Sequence, residues 1–348
     1  MREIFDTIAA ERQRHPWRRL AVRVALLAAI VAFSFWAATR EKRAMARRGG
    51  ASSPRASFAW PAMGTVAEFE AAGDPAMAAR MRNVVADAFA EVEEELSVFL
   101  TNSVVSRLNR GEAVEVPESG HAATVIRFAL ETAEASGGAF DPTVGPLMRV
   151  WGLRGGGGAL PPLNVISNTL ASVGWWRVRL VPVGEGRVRI STRGAEIDLG
   201  GIAKGYAVDL AVHRLAEAGR TDFLVNLGGN IRVHGAPATG RADWNIAVRD
   251  PSGRRPPSPL PRHLRSGEAV ATSGSYERFV EINGKRFSHI IDPRIGTPVD
   301  NGLASVSVIA PSAMMADAYS TTLFVLGGKA GAAFLATRPG CTAAFIKR

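Results

Sequence analysis

Cysteine is almost absent from this sequence. The 348 residues contain a single one, Cys341, which excludes an intrachain disulfide framework and any cysteine-rich zinc or iron–sulfur centre. Because no cysteine precedes it, a lipid-modified N-terminal cysteine is excluded as well. A lone cysteine near the end of the chain is expected to be a small buried apolar side chain.

Excess positive charge is confined to the N-terminus. Residues 1–56 hold twelve Lys and Arg and four Asp and Glu. Of the 42 basic and 32 acidic residues in the whole chain, 30 and 28 therefore remain for residues 57–348, a net charge of +2. Such a nearly neutral region lacks the basic footprint of a nucleic-acid-binding domain. We therefore expect no nucleic-acid partner.

Long hydrophobic runs are missing except for one. Residues 24–39, VALLAAIVAFSFWAAT, are sixteen residues without a charge, and basic residues stand at both edges. A membrane-spanning helix needs about 17–25 residues, and an arginine at its edge can reach the lipid headgroups, so residues 20–39 are long enough. We predict a transmembrane anchor here. The alternatives are a cleaved signal segment, with Ala44–Ala46 as its cleavage site, and a helix of a soluble core.

This hydrophobic segment divides the chain into four parts. We expect a basic cytoplasmic N-terminus over residues 1–19, the anchor or signal segment over 20–39, a flexible tether over 40–57 and one catalytic domain over 58–348. Basic residues flank both ends of the hydrophobic run, so the charge bias that orients membrane helices is weak. The orientation we favour places the catalytic domain outside the cytoplasm, which is the periplasmic side of a bacterial inner membrane.

Beyond residue 57, hydrophobic periodicity predicts both helices and strands. The predicted elements are a strand through FAWPAMGTVAEFEAAG, helices over 75–98 and 121–136, a strand, turn and helix over 196–219, a strand through DFLVNLGGNIRVHG with a kink at Gly228–Gly229, a hairpin turn at Asn283–Gly284, a strand over 303–309 and a helix from Ser312. Two segments are predicted to be exposed loops, the four glycines at 155–158 and the Pro/Arg-rich residues 251–265.

The last predicted helix carries two oxygen-bearing side chains at helical spacing. Asp317 and Thr321 are four residues apart, so both side chains project from one face. A carboxylate and a hydroxyl at this spacing supply half of a hard-cation site that keeps positions open for phosphate oxygens. The flanking residues are apolar, and a buried aspartate needs a partner or an ion. The alternative is an ordinary helix, capped by Ser312, with Asp317 on a solvated face.

A second candidate is the glycine-rich segment 197–206, IDLGGIAKGY. It fits neither the dinucleotide-binding fingerprint nor the P-loop pattern. Its three glycines nevertheless expose backbone amides at a helix N-terminus, where anions bind. Lys204 would add a positive charge, and Asp198 an acceptor for a sugar or a base. An ordinary turn between a strand and a helix is the alternative.

His289 is a candidate general base. It lies near the end of a predicted strand, and Asp292, three residues further on, would orient it or a nearby ligand. A lone histidine in a strand is also commonly structural, and the spacing leaves both interpretations open.

Eight motifs follow one another between residues 63 and 327. They are MGT at 63–65, LSVFLTNSVVSRLN at 96–109, FDPTVGPL at 140–147, IDLGGIAKGYAVD at 197–209, NLGGNI at 226–231, TSGSYER at 272–278, SHIIDPRIGTPV at 288–299 and ADAYSTTLFVLG at 316–327. Together and in this order they resemble the FAD:protein FMN transferases, the ApbE family. The resemblance covers residues 58–348.

The resemblance implies a fold and an activity. The fold would be α+β, one catalytic domain of mixed or antiparallel sheets with flanking helices, preceded by the N-terminal hydrophobic helix. The activity would be Mg²⁺-dependent transfer of the FMN half of FAD to a threonine or serine hydroxyl of an acceptor flavoprotein subunit. Such a transfer forms a phosphoester and releases AMP.

The resemblance also implies roles for individual residues. Asp317 and Thr321 match metal ligands, together with the backbone carbonyl of Gly201. His289 matches the position of the proposed catalytic base. The positions that contact the flavin or the nucleotide are matched by Met63, Phe99, Ala139, Phe140, Asp141, Asp198, Lys204 and Ile291.

One position departs from the family pattern. The family usually has an aspartate after Ser-Gly in the TSG motif, whereas this chain has Ser275. A carboxylate there would help to hold the cation or to activate the attacking hydroxyl. Its loss keeps two alternatives open, a Mg²⁺-dependent FAD pyrophosphatase that yields FMN and AMP, and an FAD-binding protein without turnover.

Overall fold

The computed structural model describes residues 55–154, 160–237, 241–249, 258–275, 279–282 and 284–348. The predicted anchor over 20–39, most of the predicted tether and the glycine run at 155–158 lie outside the described residues. Among the helices that are described, none combines the length and the apolar character needed to cross a bilayer.

Most of the helices lie in the first two thirds of the described chain, and a run of consecutive strands precedes the last helix. In order the elements are β1 (Arg55–Ala62), β2 (Thr65–Ala72), α1 (Pro75–Leu96), α2 (Val104–Asn109), β3 (Val114–Pro117), α3 (His121–Ala135), α4 (Gly145–Val150), α5 (Leu163–Leu170), a 3₁₀ turn (Trp175–Arg177), β4 (Arg179–Gly184), β5 (Arg187–Ser191), α6 (Ala203–Glu217), β6 (Phe223–Leu227) and β7 (Asn230–His234). The second half has β8 (Ala247–Val248), β9 (Ser258–Pro259), β10 (Ala269–Gly274), β11 (Phe279–Ile282), β12 (Lys285–Ser288), β13 (Ile291–Asp292), β14 (Thr297–Pro298), β15 (Leu303–Ala310), α7 (Ala313–Ala336) and β16 (Thr342–Lys347).

A seven-stranded antiparallel sheet forms the centre, in the order β1-β2-β6-β7-β10-β15-β16. All eight residues of β15 are buried. Helix α7 packs against one face of this strand, and Ile309 on the other face joins a cluster with Trp244 and Leu264. A strand covered on both faces carries apolar or small side chains at successive positions, as LASVSVIA does. The α+β class and an antiparallel sheet are therefore confirmed.

The prediction of an exposed loop over 251–265 was wrong at Leu260 and Leu264, whereas Pro261, His263 and Arg265 are exposed as predicted. Leu264 is fully buried and Leu260 nearly so, and both pack with Trp244 against the central sheet. Proline and arginine dominated the composition of this segment, but its two leucines supply the apolar face that covers the sheet. Local composition cannot show which side chains such a segment buries.

Two segments predicted as single strands are hairpins. The chain turns at Met63–Gly64 between β1 and β2, and at Gly228–Gly229 between β6 and β7. All four of these residues have positive φ, between 47° and 89°, as tight two-residue hairpin turns of the antiparallel sheet require. The two turns meet, because the Gly228 amide donates to the Val66 carbonyl at 3.0 Å. The first strand begins at Arg55, within the segment assigned to the tether.

Helix ends follow their capping residues. The carboxylate of Asp74 accepts from the amides of Ala76 and Met77 at the start of α1, which ends at Leu96, close to the prediction. The hydroxyl of Ser312 accepts from the Met315 amide at 3.2 Å, so the predicted cap of α7 is confirmed.

Helices α6 and α7 cross very closely at Gly205. A Cβ built on Gly205 would lie 2.2 Å from the Ala313 carbonyl oxygen and 2.8 Å from the Asp317 Cβ. Only glycine allows this approach. The carboxylate of Asp209 also joins the two helices, because it accepts from the amides of Ala313 and Met314 at 2.8 Å each. The start of α7, and with it Asp317, is thereby fixed relative to α6.

The predicted strand just before α6 was wrong. Only one isolated bridge, between Glu196 and Val144, occurs there; residues 197–199 have no regular structure and residues 200–202 form a turn.

Candidate functional site

Two of the predicted metal-binding positions lie side by side. Gly201 precedes α6, and Thr321 lies one turn after Asp317 in α7. A Cβ on Gly201 would be 3.2 Å from the Thr321 hydroxyl and 3.3 Å from the ring of Phe140. A side chain at this position would be tightly placed, because the backbone passes between these two side chains. The structure therefore brings together Gly201, Phe140 and Thr321, which lie in three distant motifs.

Asp317 is buried, with 5% of its surface exposed. Its Oδ2 accepts from the Gly205 amide at 3.0 Å and lies 3.6 Å from the Lys204 Nζ. Burial raises the pKa of Asp317 above its usual value, and the positive charge of Lys204 and the Gly205 amide oppose that shift. The solvated-face alternative for Asp317 is therefore wrong. Its carboxylate faces the N-terminus of α6 and the ammonium group of Lys204.

Lys204 joins this carboxylate to the glycine turn. Its ammonium group donates to the Gly200 carbonyl at 2.7 Å while it faces Asp317. A quarter of its side chain remains exposed. An ammonium group beside the first amides of a helix is a combination that attracts phosphate oxygens.

Hydroxyl groups surround Thr321. The Ser273 hydroxyl lies 2.8 Å from that of Ser320 and 3.2 Å from that of Thr321. Two residues along, Ser275 donates from its amide to the Ala304 carbonyl at 3.1 Å, and its hydroxyl lies 3.4 Å from the same oxygen. Ser275 therefore offers a hydroxyl that faces a backbone carbonyl.

Asp198 is held from several sides. Its Oδ2 accepts from the Nε and Nη2 of Arg154 at 3.1 and 2.8 Å, and its Oδ1 accepts from the Gly200 amide at 2.9 Å. The Nη1 of Arg154 binds Glu196 at 2.6 Å. Because Lys204 binds the Gly200 carbonyl, the carboxylate of Asp198 and the ammonium of Lys204 are joined through a single glycine.

A polar cleft of about 300 Å³ lies beside this arginine bridge. Arg154 and Glu196 line it, together with the ring of Phe99, which is 76% exposed. Asn109, also in the lining, accepts from the Ile197 amide at 2.7 Å and donates to its carbonyl at 2.9 Å. The cleft therefore adjoins the turn that carries Asp198.

The side chain of Asp141 is occupied by its own loop. Its Oδ1 accepts from the amide and the hydroxyl of Thr143 at 2.8 and 2.6 Å, and its Oδ2 from the Trp175 amide at 3.0 Å. Burial raises the pKa of Asp141, and these hydrogen bonds oppose the shift. The carboxylate thus shapes the loop, and Ala139 and Phe140 beside it are buried as well.

His289 and Ile291 lie around the short strand β13. His289 is partly buried between β12 and β13, whereas Ile291 packs inside a satellite core with Leu147 and Trp151. The Trp151 indole donates to the Gly296 carbonyl at 2.8 Å and holds the hairpin formed by β13 and β14 in place. A contact of Ile291 with a ligand would therefore come from its backbone.

The neighbour of His289 has a partner of its own. Asp292 accepts from the Nε and Nη2 of Arg294 at 2.9 and 2.7 Å, and from the Arg294 amide at 3.0 Å. Its carboxylate therefore stabilises the turn after β13. Met63, at the turn between β1 and β2, packs against the main core with part of its surface exposed.

Three participants carried no clear signal in the sequence. Arg154 binds carboxylates 42 and 44 residues away, and Ser273 reaches Thr321 across 48 residues. Gly205 was singled out only for its backbone amide, whereas its close approach to α7 is a tertiary effect. Their partners come from distant parts of the chain, so spacing alone does not reveal them.

The donors suit a hard cation in their chemistry. A carboxylate, a hydroxyl and a backbone carbonyl are oxygen ligands, as Mg²⁺ prefers. Over the described residues, no group of three or more His, Cys, Asp or Glu side chains is arranged to hold a metal ion. The predicted set contains only one such side chain, Asp317, so that finding leaves the fit of the three oxygen donors unchanged.

Fold and site together define an α+β protein in which a glycine turn, an ammonium group and a buried carboxylate meet beside a polar cleft. Residues 63–346 match the model of the ApbE family. The chain belongs to the ApbE family, as the motifs predicted.

Curated relatives share this family. The chain is 35% identical over 283 residues to the FAD:protein FMN transferase of Treponema pallidum, covering 75% of this chain and 78% of the relative. It is 33% identical over 252 residues to that of Haemophilus influenzae, covering 68% of this chain and 70% of the relative. Both relatives thus match most of their length.

Solved structures show the same fold. The ApbE protein of Thermotoga maritima superposes with a TM-score of 0.75 at 32% identity, covering 84% of this chain and 94% of that one. The flavinyl transferase ApbE of Pseudomonas stutzeri in its apo form gives 0.73 at 29% identity, covering 86% and 93%. The similarity therefore extends over nearly the whole of each solved chain.

Proposed function

We propose that this protein is an FAD:protein FMN transferase that requires Mg²⁺ and attaches FMN to a threonine or serine hydroxyl of an acceptor flavoprotein subunit. The observation that supports the proposal is the packing of Gly201 against Thr321 together with the ion pair of Lys204 with Asp317, in a family whose relatives are named for this activity. The products would be a phosphoester on the acceptor and AMP.

The proposed metal ligands are Asp317, Thr321 and the Gly201 carbonyl. When bound, Mg²⁺ would neutralise charge on the pyrophosphate of FAD as the bond between its phosphates breaks. Lys204 lies 3.6 Å from Asp317, so its ammonium group would lie next to the same phosphate oxygens. Lys204 would therefore bind a phosphate oxygen and hold the substrate in line.

The attacking oxygen comes from the acceptor. Transfer of this kind depends mainly on positioning and on charge neutralisation, so the enzyme needs no nucleophile of its own. We assign proton removal from the acceptor hydroxyl to His289, which is partly buried in the segment held by Trp151. The tight packing of this segment would fix the imidazole relative to the glycine turn.

Ser275 makes the proposed cation site depend on one carboxylate. Its hydroxyl faces the Ala304 carbonyl and carries no charge, so Asp317 supplies the negative charge at this site. Fewer carboxylates mean weaker cation binding. We therefore expect activity only at Mg²⁺ concentrations higher than a site with two carboxylates would need.

The cellular setting is part of the proposal. We place residues 20–39 in the bacterial inner membrane and the catalytic domain on the periplasmic side, where an acceptor subunit of a membrane redox protein would meet it. The support is the uncharged run of sixteen residues at 24–39 and its basic flanks. Protease accessibility of the catalytic domain in spheroplasts tests this placement, and protection from the protease would refute it.

The experiment for the activity uses the full chain with FAD, Mg²⁺ and an acceptor subunit. Covalent flavin is read as fluorescence of the acceptor band on a denaturing gel. Asp317→Asn keeps the size of the side chain and removes its charge, and we expect it to abolish labelling, as should a chelator. Free FMN without labelled acceptor would show a hydrolase, and intact FAD with bound flavin would show a binding protein.

A further inference from the structure

Arg154 connects two carboxylates at the edge of the polar cleft. Its Nε and Nη2 donate to Asp198 Oδ2 at 3.1 and 2.8 Å, and its Nη1 donates to Glu196 Oε1 at 2.6 Å. All three side chains are largely buried, with 15–18% of each exposed. A planar guanidinium that uses three donors at once is a rigid connection, and a lysine cannot reproduce it.

The surrounding backbone makes room for this guanidinium. A Cβ on Gly145, the first residue of α4, would lie 2.9 Å from Arg154 Nη2 and 2.8 Å from the Glu196 carbonyl oxygen. Any other residue at position 145 would push the arginine away from Asp198. The glycine is required by this close approach, since its φ is in the ordinary negative range.

The bridge determines how Asp198 can meet a ligand. A carboxylate offers about four acceptor positions. Arg154 takes two of them on Oδ2, and the Gly200 amide takes one on Oδ1 at 2.9 Å. The Asp198 amide is also fixed, because it donates to the Pro142 carbonyl at 2.7 Å. One acceptor position on a fixed oxygen remains for a donor such as a ribose hydroxyl or a base amino group.

The neighbouring groups match the parts of a nucleotide. Arg154 and Glu196 line the cleft of about 300 Å³ that holds the exposed ring of Phe99, and an aromatic ring is a stacking surface for a base. On the other side, Gly200 joins Asp198 to Lys204. A base in the cleft, a sugar at Asp198 and phosphates at Lys204 follow one another in the right order.

We propose that Arg154, which lines the cleft, is a positioning residue for the nucleotide half of FAD, because it holds the carboxylate of Asp198 with one acceptor position left open. The inference rests on the proposed function, in which FAD is the substrate. Arg154 acts before the chemical step, so it sets the affinity for FAD and for AMP and leaves the turnover of bound FAD unchanged.

The test compares Arg154→Ala with wild type in the full chain. AMP binding is measured by calorimetry without Mg²⁺, and KM for FAD and kcat are measured in the transfer reaction. The loss of a charge-assisted hold on a buried carboxylate predicts AMP binding and KM weakened by about tenfold or more. We expect kcat to stay within about twofold, because Arg154 supports binding that is equally strong in the ground state and in the transition state. Loss of such binding raises KM and leaves kcat unchanged.

Arg189→Ala is the matched control. Arg189 also binds a carboxylate through two nitrogens, since Nε and Nη2 both donate to Glu115 Oε1, but it lies on the exposed β3–β5 ladder. The Arg189→Ala variant should leave the affinity for AMP unchanged. A loss of AMP affinity in this variant equal to that in Arg154→Ala would overturn the inference, because the effect would then reflect charge alone.

A double-mutant cycle separates positioning from general stabilisation. If Arg154 acts through Asp198, then Arg154→Ala should weaken AMP binding much less in an Asp198→Asn background than in wild type. Additive losses of AMP affinity would overturn the proposal. Arg154→Lys keeps the charge and the fold but not the two-nitrogen hold, so it should weaken AMP binding severalfold even if the alanine variant does not fold. Unchanged AMP affinity in Arg154→Lys would likewise overturn it.

The outcomes distinguish this inference from the proposed function. Wild-type protein that transfers FMN, with an alanine variant of equal AMP affinity and equal KM, overturns the role of Arg154 alone. Wild-type protein that binds neither AMP nor FAD overturns both. A third outcome combines two results: the wild-type protein releases FMN without labelling an acceptor, and Arg154→Ala binds AMP more weakly than wild type. That outcome supports the role of Arg154 and overturns the transferase activity.

Discussion

The close crossing of α6 and α7 makes Gly205 the position whose substitution tests the geometry of the site most sharply. In Gly205→Ala the new Cβ would lie 2.2 Å from the Ala313 carbonyl oxygen, 2.6 Å from its carbon and 2.8 Å from the Asp317 Cβ. Real Cβ contacts are essentially never shorter than 3.0 Å. Two of the three obstructing atoms are backbone, so no rotamer change relieves the overlap, and the two helices must separate.

The size of the effect follows from two opposing terms. Overpacking of a filled core costs about 1–3 kcal/mol, and a backbone obstruction at this distance belongs at the upper end. Replacing glycine by alanine inside a helix returns up to about 1 kcal/mol. We therefore expect Gly205→Ala to lower the free energy of unfolding by roughly 2 kcal/mol. Separation of the helices also lengthens the 3.0 Å bond from the Gly205 amide to Asp317, so transfer activity should fall with it.

The assay is urea unfolding followed by circular dichroism, together with the rate of FMN transfer. Gly328→Ala is the matched control, because a Cβ there meets no atom within 4 Å and the residue has no positive φ. Its midpoint of unfolding should be unchanged or slightly higher. If Gly205→Ala were as stable and as active as wild type, the reasoning from the helix crossing would be refuted.

Three further predictions concern the supports of the site. Asp209→Ala removes the carboxylate that accepts from the first amides of α7 and pairs with Arg232. It should lower the free energy of unfolding by about 3 kcal/mol, measured by urea titration. A change under about 0.5 kcal/mol would contradict the capping role. Trp151→Phe removes the indole bond to the Gly296 carbonyl and should cost about 1 kcal/mol, with unchanged stability counting against this hydrogen bond. Thr321→Val keeps the shape of the side chain and removes its hydroxyl, so the Mg²⁺ concentration for half-maximal transfer should rise about tenfold or more. Thr321→Ser keeps the hydroxyl and should need a Mg²⁺ concentration near that of wild type. Equal Mg²⁺ requirements in both variants would remove Thr321 from the metal site.

Features that depend on local order were predictable from the sequence. The cap at Ser312 and the spacing of Asp317 and Thr321 are properties of a single helix, and the structure places both as the pattern indicated. Apolar periodicity likewise predicted α1, since its buried residues recur at helical spacing. The eight ordered motifs predicted the family, which the comparisons confirm.

Features that depend on distant partners were not predictable. An alternating pattern continues unchanged through a tight turn, so it predicts continuous strands where the structure has hairpins at Met63–Gly64 and Gly228–Gly229. The burial of Leu264 depends on a strand that lies elsewhere in the sequence. Arg154 stood next to a glycine run and gave no sign that it reaches Asp198. In each case the missing information was the spatial neighbour, which one sequence without its fold does not contain.

The intact mass of the acceptor subunit tests the central claim most directly. The full chain is incubated with FAD, Mg²⁺ and either the acceptor or an acceptor whose target threonine is replaced by alanine, and AMP release is measured in parallel. The account predicts a mass increase equal to one FMN on the first acceptor, none on the second, and one AMP for each FMN attached. An unchanged acceptor mass, with FAD intact or split into free FMN and AMP, would contradict it.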